Sequence, residues 1–268
     1  MAQAINLNAD LGESFGAWRM GSDAELLPII ATASIACGFH AGDPLVMRRT
    51  LRQALAVGIS IGAHPSYPDL QGFGRRVMRL PADELEALLI YQIGALAGMA
   101  QAEGARLTHV KPHGALSNMA CEEAAIAASV VAAIRCFDPR LILLAPALSQ
   151  LALAGAAAGL RVASEIFADR TYDDSGNLLP RSQAGAQLHA AADCVAHVLR
   201  MLDAGGIVSI GGRCMPSEVH SICVHGDGAQ AVAVATAVRS ALLAAGMRLL
   251  PLPQVLPPAD SIAPAAMV

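Results

Sequence analysis

Short apolar runs alternate with helix-length segments along the whole chain, and six of the runs end on a compact polar cluster. This alternation constrains the fold most, because strands separated by helices pair in parallel with the helices packed outside. The clusters read Asp10-Leu-Gly-Glu-Ser14, Gly38-Phe-His-Ala-Gly-Asp43, Gly62-Ala-His-Pro-Ser-Tyr-Pro-Asp69, Lys111-Pro-His-Gly114, Glu165-Ile-Phe-Ala-Asp-Arg170 and His225-Gly-Asp227. A parallel α/β barrel carries its chemistry at the C-terminal ends of its strands. Six such endings point to one site assembled from many loops, and so to an enzyme.

Ile5, Leu7 and Ala9 alternate with Asn6 and Asn8 in a first strand that ends at Asp10. Further strands are expected over 34–37, 59–63, 107–110, 141–144 and 161–165, and either 207–210 or 221–224 supplies the next. Helices are expected over 23–33, 43–57, 81–103, 122–136, 149–158, 190–204 and 229–245, with long polar loops over 64–80 and 166–181. Seven or eight strand–helix units without an internal linker favour one closed or nearly closed barrel over residues 1–250. A Pro/Ala-rich tail over 251–268 is expected to be extended or disordered. No Gly-rich fingerprint follows the first strand, which disfavours an open dinucleotide-binding sheet.

Hydrophobic residues make up 54% of the 268 and charged residues 15%, enough for an ample core and for apolar surface that leaves a homo-oligomer open. A net charge of −4 with no basic run sets nucleic acid aside as a partner. No apolar stretch reaches about 18 residues, so no membrane span is read. The N-terminus lacks the features of a signal peptide, and a cytoplasmic location is expected. The six Cys form no C-x-x-C pair, so reduced thiols are expected rather than a zinc knuckle or a disulfide framework.

Asp10 and Glu13, three residues apart in a turn, can converge on a metal, a basic group or an attacking water; a turn that Asp closes on its own backbone explains them equally well. His40 and His64 follow two strands among small residues that let a ligand approach. With Asp10 they would make an Asp-His-His set for a divalent metal such as Zn, Mn or Fe, although a lone His is more often a satisfied core residue. Asp43, before Pro44, reads as a helix cap. Gly72-Phe-Gly-Arg-Arg76 offers Arg75 and Arg76 as an anion grip, or is a solvated loop; Asp69 beside it is a turn residue or a substrate contact. Lys111 and His113 flank Pro112 and point the same way in an extended chain. The lysine suits an oxyanion and the histidine proton transfer. Glu165, Asp169 and Arg170, with Arg181 across the loop, form either a structural ion-pair set or a substrate grip. His225 and Asp227 complete the site or cap the last helix.

In this order the clusters resemble the LamB/YcsF family, described as the A component of prokaryotic 5-oxoprolinase. The runs that carry the resemblance include Asn8-Ala-Asp-Leu-Gly-Glu-Ser-Phe-Gly16, Gly38-Phe-His-Ala-Gly-Asp-Pro44, Lys111-Pro-His-Gly-Ala-Leu116 and Val224-His-Gly-Asp227. Ser34 and Ser117 stand where the family pattern has Asn and Tyr, which bears on pocket shape. The resemblance implies a seven-stranded parallel β/α barrel of the glycoside hydrolase/deacetylase kind. It implies ATP-dependent opening of the lactam 5-oxo-L-proline to L-glutamate, with partner subunits B and C and with ATP as co-substrate of the complex. On that reading Asp10, with Glu13 beside it, acts on the attacking water, and His40 and His64 hold a divalent metal with Asp10. Lys111 steadies developing charge, and His113 passes a proton to the ring nitrogen. Arg75, Arg76, Arg170, Asp69 and Asp169 meet the substrate. Two other readings stay open: a metal-dependent deacetylase of an N-acyl sugar, and a non-catalytic scaffold of the complex.

Overall fold

The computed structural model describes residues 3–256. Its logic is visible in β1 (Ala4–Leu11). Ile5, Leu7, Ala9 and Leu11 sit in the main hydrophobic cluster, while Asn6, Asn8 and Asp10 point to the other face and are buried as well. A strand buried on both faces belongs in a parallel sheet covered by helices. Here the sheet closes on itself. β1 is followed around the barrel by β2 (Thr32–Ala36), β3 (Ser60–His64), β4 (His109–Val110), β5 (Ile142–Pro146) and β6 (Val162–Phe167). Two short strands, β7 (Gly206–Val208) and β8 (Cys214–Pro216), form a separate antiparallel ribbon. β9 (Ser221–Val224) then pairs in parallel with β6 on one side and β1 on the other, completing seven staves.

The outer layer consists of α1 (Asp23–Leu26), α2 (Pro44–Ala56), α3 (Ala82–Ala102), α4 (Gly114–Glu122), α5 (Ala124–Phe137), α6 (Gln150–Ala157), α7 (Ala191–Ala204) and α8 (Ala231–Ala244). Asp43 caps α2 as its position before Pro44 suggests: Oδ1 accepts from the N–H of Leu45 and Val46, and Oδ2 from that of Gly16. α3 is long and apolar enough, by length and composition, to cross a membrane. In the fold it buries Leu85, Leu89, Ile93 and Leu96 and packs on α5. Its buried Gln92 exchanges two hydrogen bonds with the Ser66 backbone.

The barrel interior is polar. Asn6 Nδ2 donates to Thr32 Oγ1 at 2.7 Å, Ser221 Oγ donates to Asn6 Oδ1 at 2.7 Å, and Asn8 Nδ2 donates to Ser221 Oγ at 2.8 Å and to Glu165 Oε1 at 2.7 Å. The ring of His109 fills the space beside Gly62, its register partner on β3; an ideal Cβ on that glycine would lie 2.4 Å from the ring. Burial pushes His109 down to about 3, so it is a neutral core residue.

Four expectations change. Residues 207–210 are not a stave: the chain there runs into the β7–β8 ribbon, where Gly206 passes so close to Met215 that no side chain fits. The helix expected over 23–33 stops at Leu26, because Thr32 already belongs to β2. Gly114–Glu122 (α4) is a helix where none was expected between the strand over 107–110 and the helix from 122. The chain after 250 is not extended throughout. Arg248–Leu249 (β10) pairs with the start of β1, and Leu252–Val255 (α9) buries Leu252, with Pro253 in the first turn where its missing N–H costs nothing. The rest of the expected tail, 257–268, lies outside the described residues.

Candidate active site

Asp10, His64, Lys111, His113, Arg75, Arg170 and His225 line one cavity of about 450 Å³ at the C-terminal ends of the strands, with Glu13, Arg181 and Asp227. That volume suits a small ligand. A hollow of about 620 Å³ opens near the opposite ends, beside Leu107, Leu141 and Arg161, but its Asp138 is already paired with Arg140.

Lys111 is the charge centre of the floor. Its Nζ lies 2.9 Å from Asp10 Oδ1, 3.0 Å from Glu165 Oε1, 3.1 Å from Asn8 Oδ1 and 3.1 Å from Cys223 Sγ. Burial works to lower the ammonium pKa, yet Asp10 and Glu165 outweigh it and hold Lys111 well above its usual range. Burial likewise works to raise Asp10, but His64 and Lys111 win and keep its carboxyl well below the usual carboxylate range. Glu165 goes the other way: burial raises it, and its Oε2 is buried without a hydrogen-bond partner among the described residues. Glu165, grouped in the sequence with Asp169, Arg170 and Arg181 as an ion-pair set or a substrate grip, instead has Lys111 and Asn8 as its partners.

Beside this charge set lie Glu13, His40, His64 and His113, each offering a ligand atom within 4.8 Å of the others. Asp10, expected to bind a metal with His40 and His64, is not part of this grouping. Asp10 Oδ2 reaches His64 Nε2 at 3.4 Å, but Asp10 Oδ1 is held by Lys111. His64 Nδ1 donates to the carbonyl of Lys111 at 2.6 Å, and His113 Nε2 donates to the carbonyl of Phe73 at 2.9 Å. Carbonyls only accept, so each outer nitrogen carries its hydrogen, and the lone pairs of His64 Nε2 and His113 Nδ1 face each other at 2.9 Å. That arrangement calls for a cation between or beside them, a proton or a metal ion. Outer N–H groups tied to carbonyls are the usual support of metal-binding histidines. Glu13 Oε1 stands 3.2 Å from His40 Nε2 and 3.5 Å from His113 Nδ1. Burial raises Glu13 and drives His40 and His113 well below the imidazole range, which keeps those rings neutral. His40 Nδ1 has no hydrogen-bond partner among the described residues. These residues fit a divalent ion of the transition series. They do not fit the expected role of His113 as a proton donor, because both its nitrogens are engaged and burial favours its neutral form.

The arginines divide. Arg75 reaches across the mouth to Asp227 Oδ2 at 2.6 Å. Arg76 and Asp69, expected at the substrate, are bound to each other, and Asp69 also accepts from the N–H of Gly72 and Arg76. This pair braces the loop after β3 and does not line the cavity. Gly74, at φ 64°, accepts from Ala115 N–H at 2.8 Å, so the loop is fastened to the start of α4. Arg170 lines the cavity and also donates to the carbonyls of Leu179 and Ala186, holding the loop after β6. Burial, with Arg181 beside it, lowers Arg170 to about 10. Asp169 is turned to His225, whose Nδ1 lies 2.7 and 2.8 Å from its two oxygens. Asn8 and Cys223 were not expected at the site; the alternation of Asn6, Asn8 and Asp10 along one strand face was the signal for the first.

A sequence profile of the LamB/YcsF family matches residues 5–257. A protein of an Azoarcus species, named as the A component of 5-oxoprolinase, is 63% identical over 251 residues, covering 94% of this chain and 98% of that protein. The crystal structure of a lactam utilization protein from Thermus thermophilus superposes with a TM-score of 0.87 at 41% identity, covering 92% of this chain and 99% of the other. The catalytic domain of a peptidoglycan N-acetylglucosamine deacetylase from Eubacterium rectale shares the barrel, with a TM-score of 0.51 at 13% identity over 96% of this chain and 91% of that one. This last likeness is one of fold alone.

Proposed function

This chain belongs to the LamB/YcsF family, and from that premise we propose that it is the component of an ATP-dependent 5-oxoprolinase that holds 5-oxo-L-proline while its lactam ring is opened to L-glutamate. One observation carries the reading: a cavity of about 450 Å³ joins a low-pKa carboxylate, a buried ammonium and three guanidinium groups around a space fit for a small anionic ring. An amide carbonyl is a poor electrophile. Phosphoryl transfer from ATP to its oxygen makes the carbon attackable, and we assign that step to the assembly with partner subunits B and C. Arg75, Arg170 and Arg181 are positioned to hold the substrate carboxylate and the phosphoryl group. Asp10, ionised at neutral pH, orients the water and receives its proton; the adjoining Lys111 makes it a weak base that passes the proton on readily. Lys111 steadies negative charge that develops on oxygen. Glu13, His40, His64 and His113 would hold a divalent ion, which would add Lewis-acid polarisation when bound.

The test is glutamate release from 5-oxo-L-proline by this chain together with its B and C subunits, with and without ATP. The assembly should require ATP, and Asp10→Asn should lower turnover at least about 100-fold. Absence of glutamate from the complete assembly would defeat the proposal, and ATP-independent acetate release from an N-acetyl sugar would replace it with the deacetylase reading.

A further inference from the structure

β6 and β9 pair with Phe167 opposite Cys223, so Asp169 and His225 stand at matching positions two residues beyond that pair. Both oxygens of Asp169 approach Nδ1 of His225, which fixes the tautomer: Nδ1 carries a hydrogen and Nε2 is the atom left to act. The ring also stacks on Phe167, with centroids 5.5 Å apart and planes at 19°. Nε2 has no hydrogen-bond partner among the described residues, yet it is not among the sequestered unpartnered atoms, and His225 lines the cavity. An imidazole nitrogen of His225 lies within 4.8 Å of an Asp10 oxygen.

We propose that His225, aimed by Asp169, is the general acid that protonates the leaving ring nitrogen, the part that His113 cannot play. The inference rests on the lactam reading. In the tetrahedral adduct formed by water on the phosphorylated lactam, the hydroxyl gives its proton to Asp10 as the carbon–oxygen double bond forms. The carbon–nitrogen bond breaks with its electron pair going to nitrogen. Nitrogen takes the proton from His225 Nε2, leaving a neutral imidazole still bonded through Nδ1–H to Asp169. The products are the free amine and an acyl phosphate, which a second water hydrolyses. The charged and titratable groups around His225 are Asp169 beyond β6, Asp10 from β1, Cys223 on β9, Arg75 from the loop after β3, Arg181 from the loop after β6, and Asp227 on its own loop. Burial lowers His225, but Asp169 outweighs it and raises the imidazole, the opposite of what happens to His113.

The experiment uses the assembled enzyme with 5-oxo-L-proline and ATP, reading kcat, KM and the pH profile of kcat. His225→Asn should lower kcat about 100- to 10,000-fold with KM little changed. An acid whose pKa is raised stays protonated below that value, so activity should fall as pH rises through it. Asp169→Asn, a positioning variant, removes the group that raises His225 and should move this alkaline limb to lower pH. A parent assembly without glutamate release would sink the lactam reading, and this assignment with it; the variants separate the two only when the parent is active. With an active parent, an His225→Asn enzyme within about threefold of it, or an Asp169→Asn enzyme with an unmoved alkaline limb, would overturn the assignment.

Discussion

Replacing Lys111 by Met tests whether the lysine ammonium is what makes the buried carboxylates tolerable. Methionine occupies nearly the same volume, so little of its cost comes from a cavity. Removing the ammonium leaves Asp10 and Glu165, 2.9 and 3.0 Å away in the parent, buried without that counter-ion. Breaking a buried pair from one side costs about 3–5 kcal/mol. The carboxyls respond by taking up protons: burial already raises Glu165, and losing Lys111 raises it further. A carboxyl whose folded pKa exceeds its unfolded value destabilises the fold most at high pH, and the penalty fades as pH falls through the folded value. Urea unfolding followed by far-ultraviolet circular dichroism measures this. With a slope of about 3 kcal/mol per molar, the midpoint should drop by about 1–2 M near pH 8 and by clearly less near pH 5. Adding Glu165→Gln should restore part of the loss. A midpoint within about 0.3 M of the parent near pH 8, or an equal loss at both pH values, would refute the reasoning.

The chain dialysed against zinc or manganese should retain about one equivalent by elemental analysis, and the double variant His64→Ala/His113→Ala should bind about 10- to 100-fold more weakly; equal retention by both would exclude this cluster as the site. Gly62→Ala should lower stability by about 1–3 kcal/mol in calorimetry, because its methyl meets the His109 ring; an unchanged melting temperature would mean that the ring moves freely. Arg170→Met should speed limited proteolysis within 171–188 several-fold, since two loop carbonyls lose their donor; an unchanged cleavage rate would show that the loop is held by other contacts.

The strand ends were legible in the sequence because polar clusters follow apolar runs, and the Asp43–Pro44 cap because its chemistry is local. What crosses the barrel was not. Lys111 follows β4 and Glu165 lies in β6, far apart in sequence, and no periodicity tells which strand end faces which. Asp69 and Arg76 show a different limit: a loop folded on its own ion pair and a loop that grips an anion use the same residue types, and only the backbone path separates them. α4 was hidden because helix-breaking residues open it, and its helicity comes from packing: Leu116 and Ala120 are fully buried. The candidate metal grouping takes in Glu13 and His113 rather than Asp10, and Lys111, far along the chain, holds one oxygen of Asp10.

One chain of hydrogen bonds inside the barrel runs in a single direction. Lys111 donates to Asn8, Asn8 to Ser221, Ser221 to Asn6, and Asn6 to Thr32 and to the carbonyl of Leu250. Every link presents its oxygen upward, so the column is a stack of aligned dipoles with its negative end beneath the ammonium. Lys111 therefore serves as a standing charge: its ammonium sits at the negative end of this column and beside the Asp10 carboxylate, and both favour the protonated form.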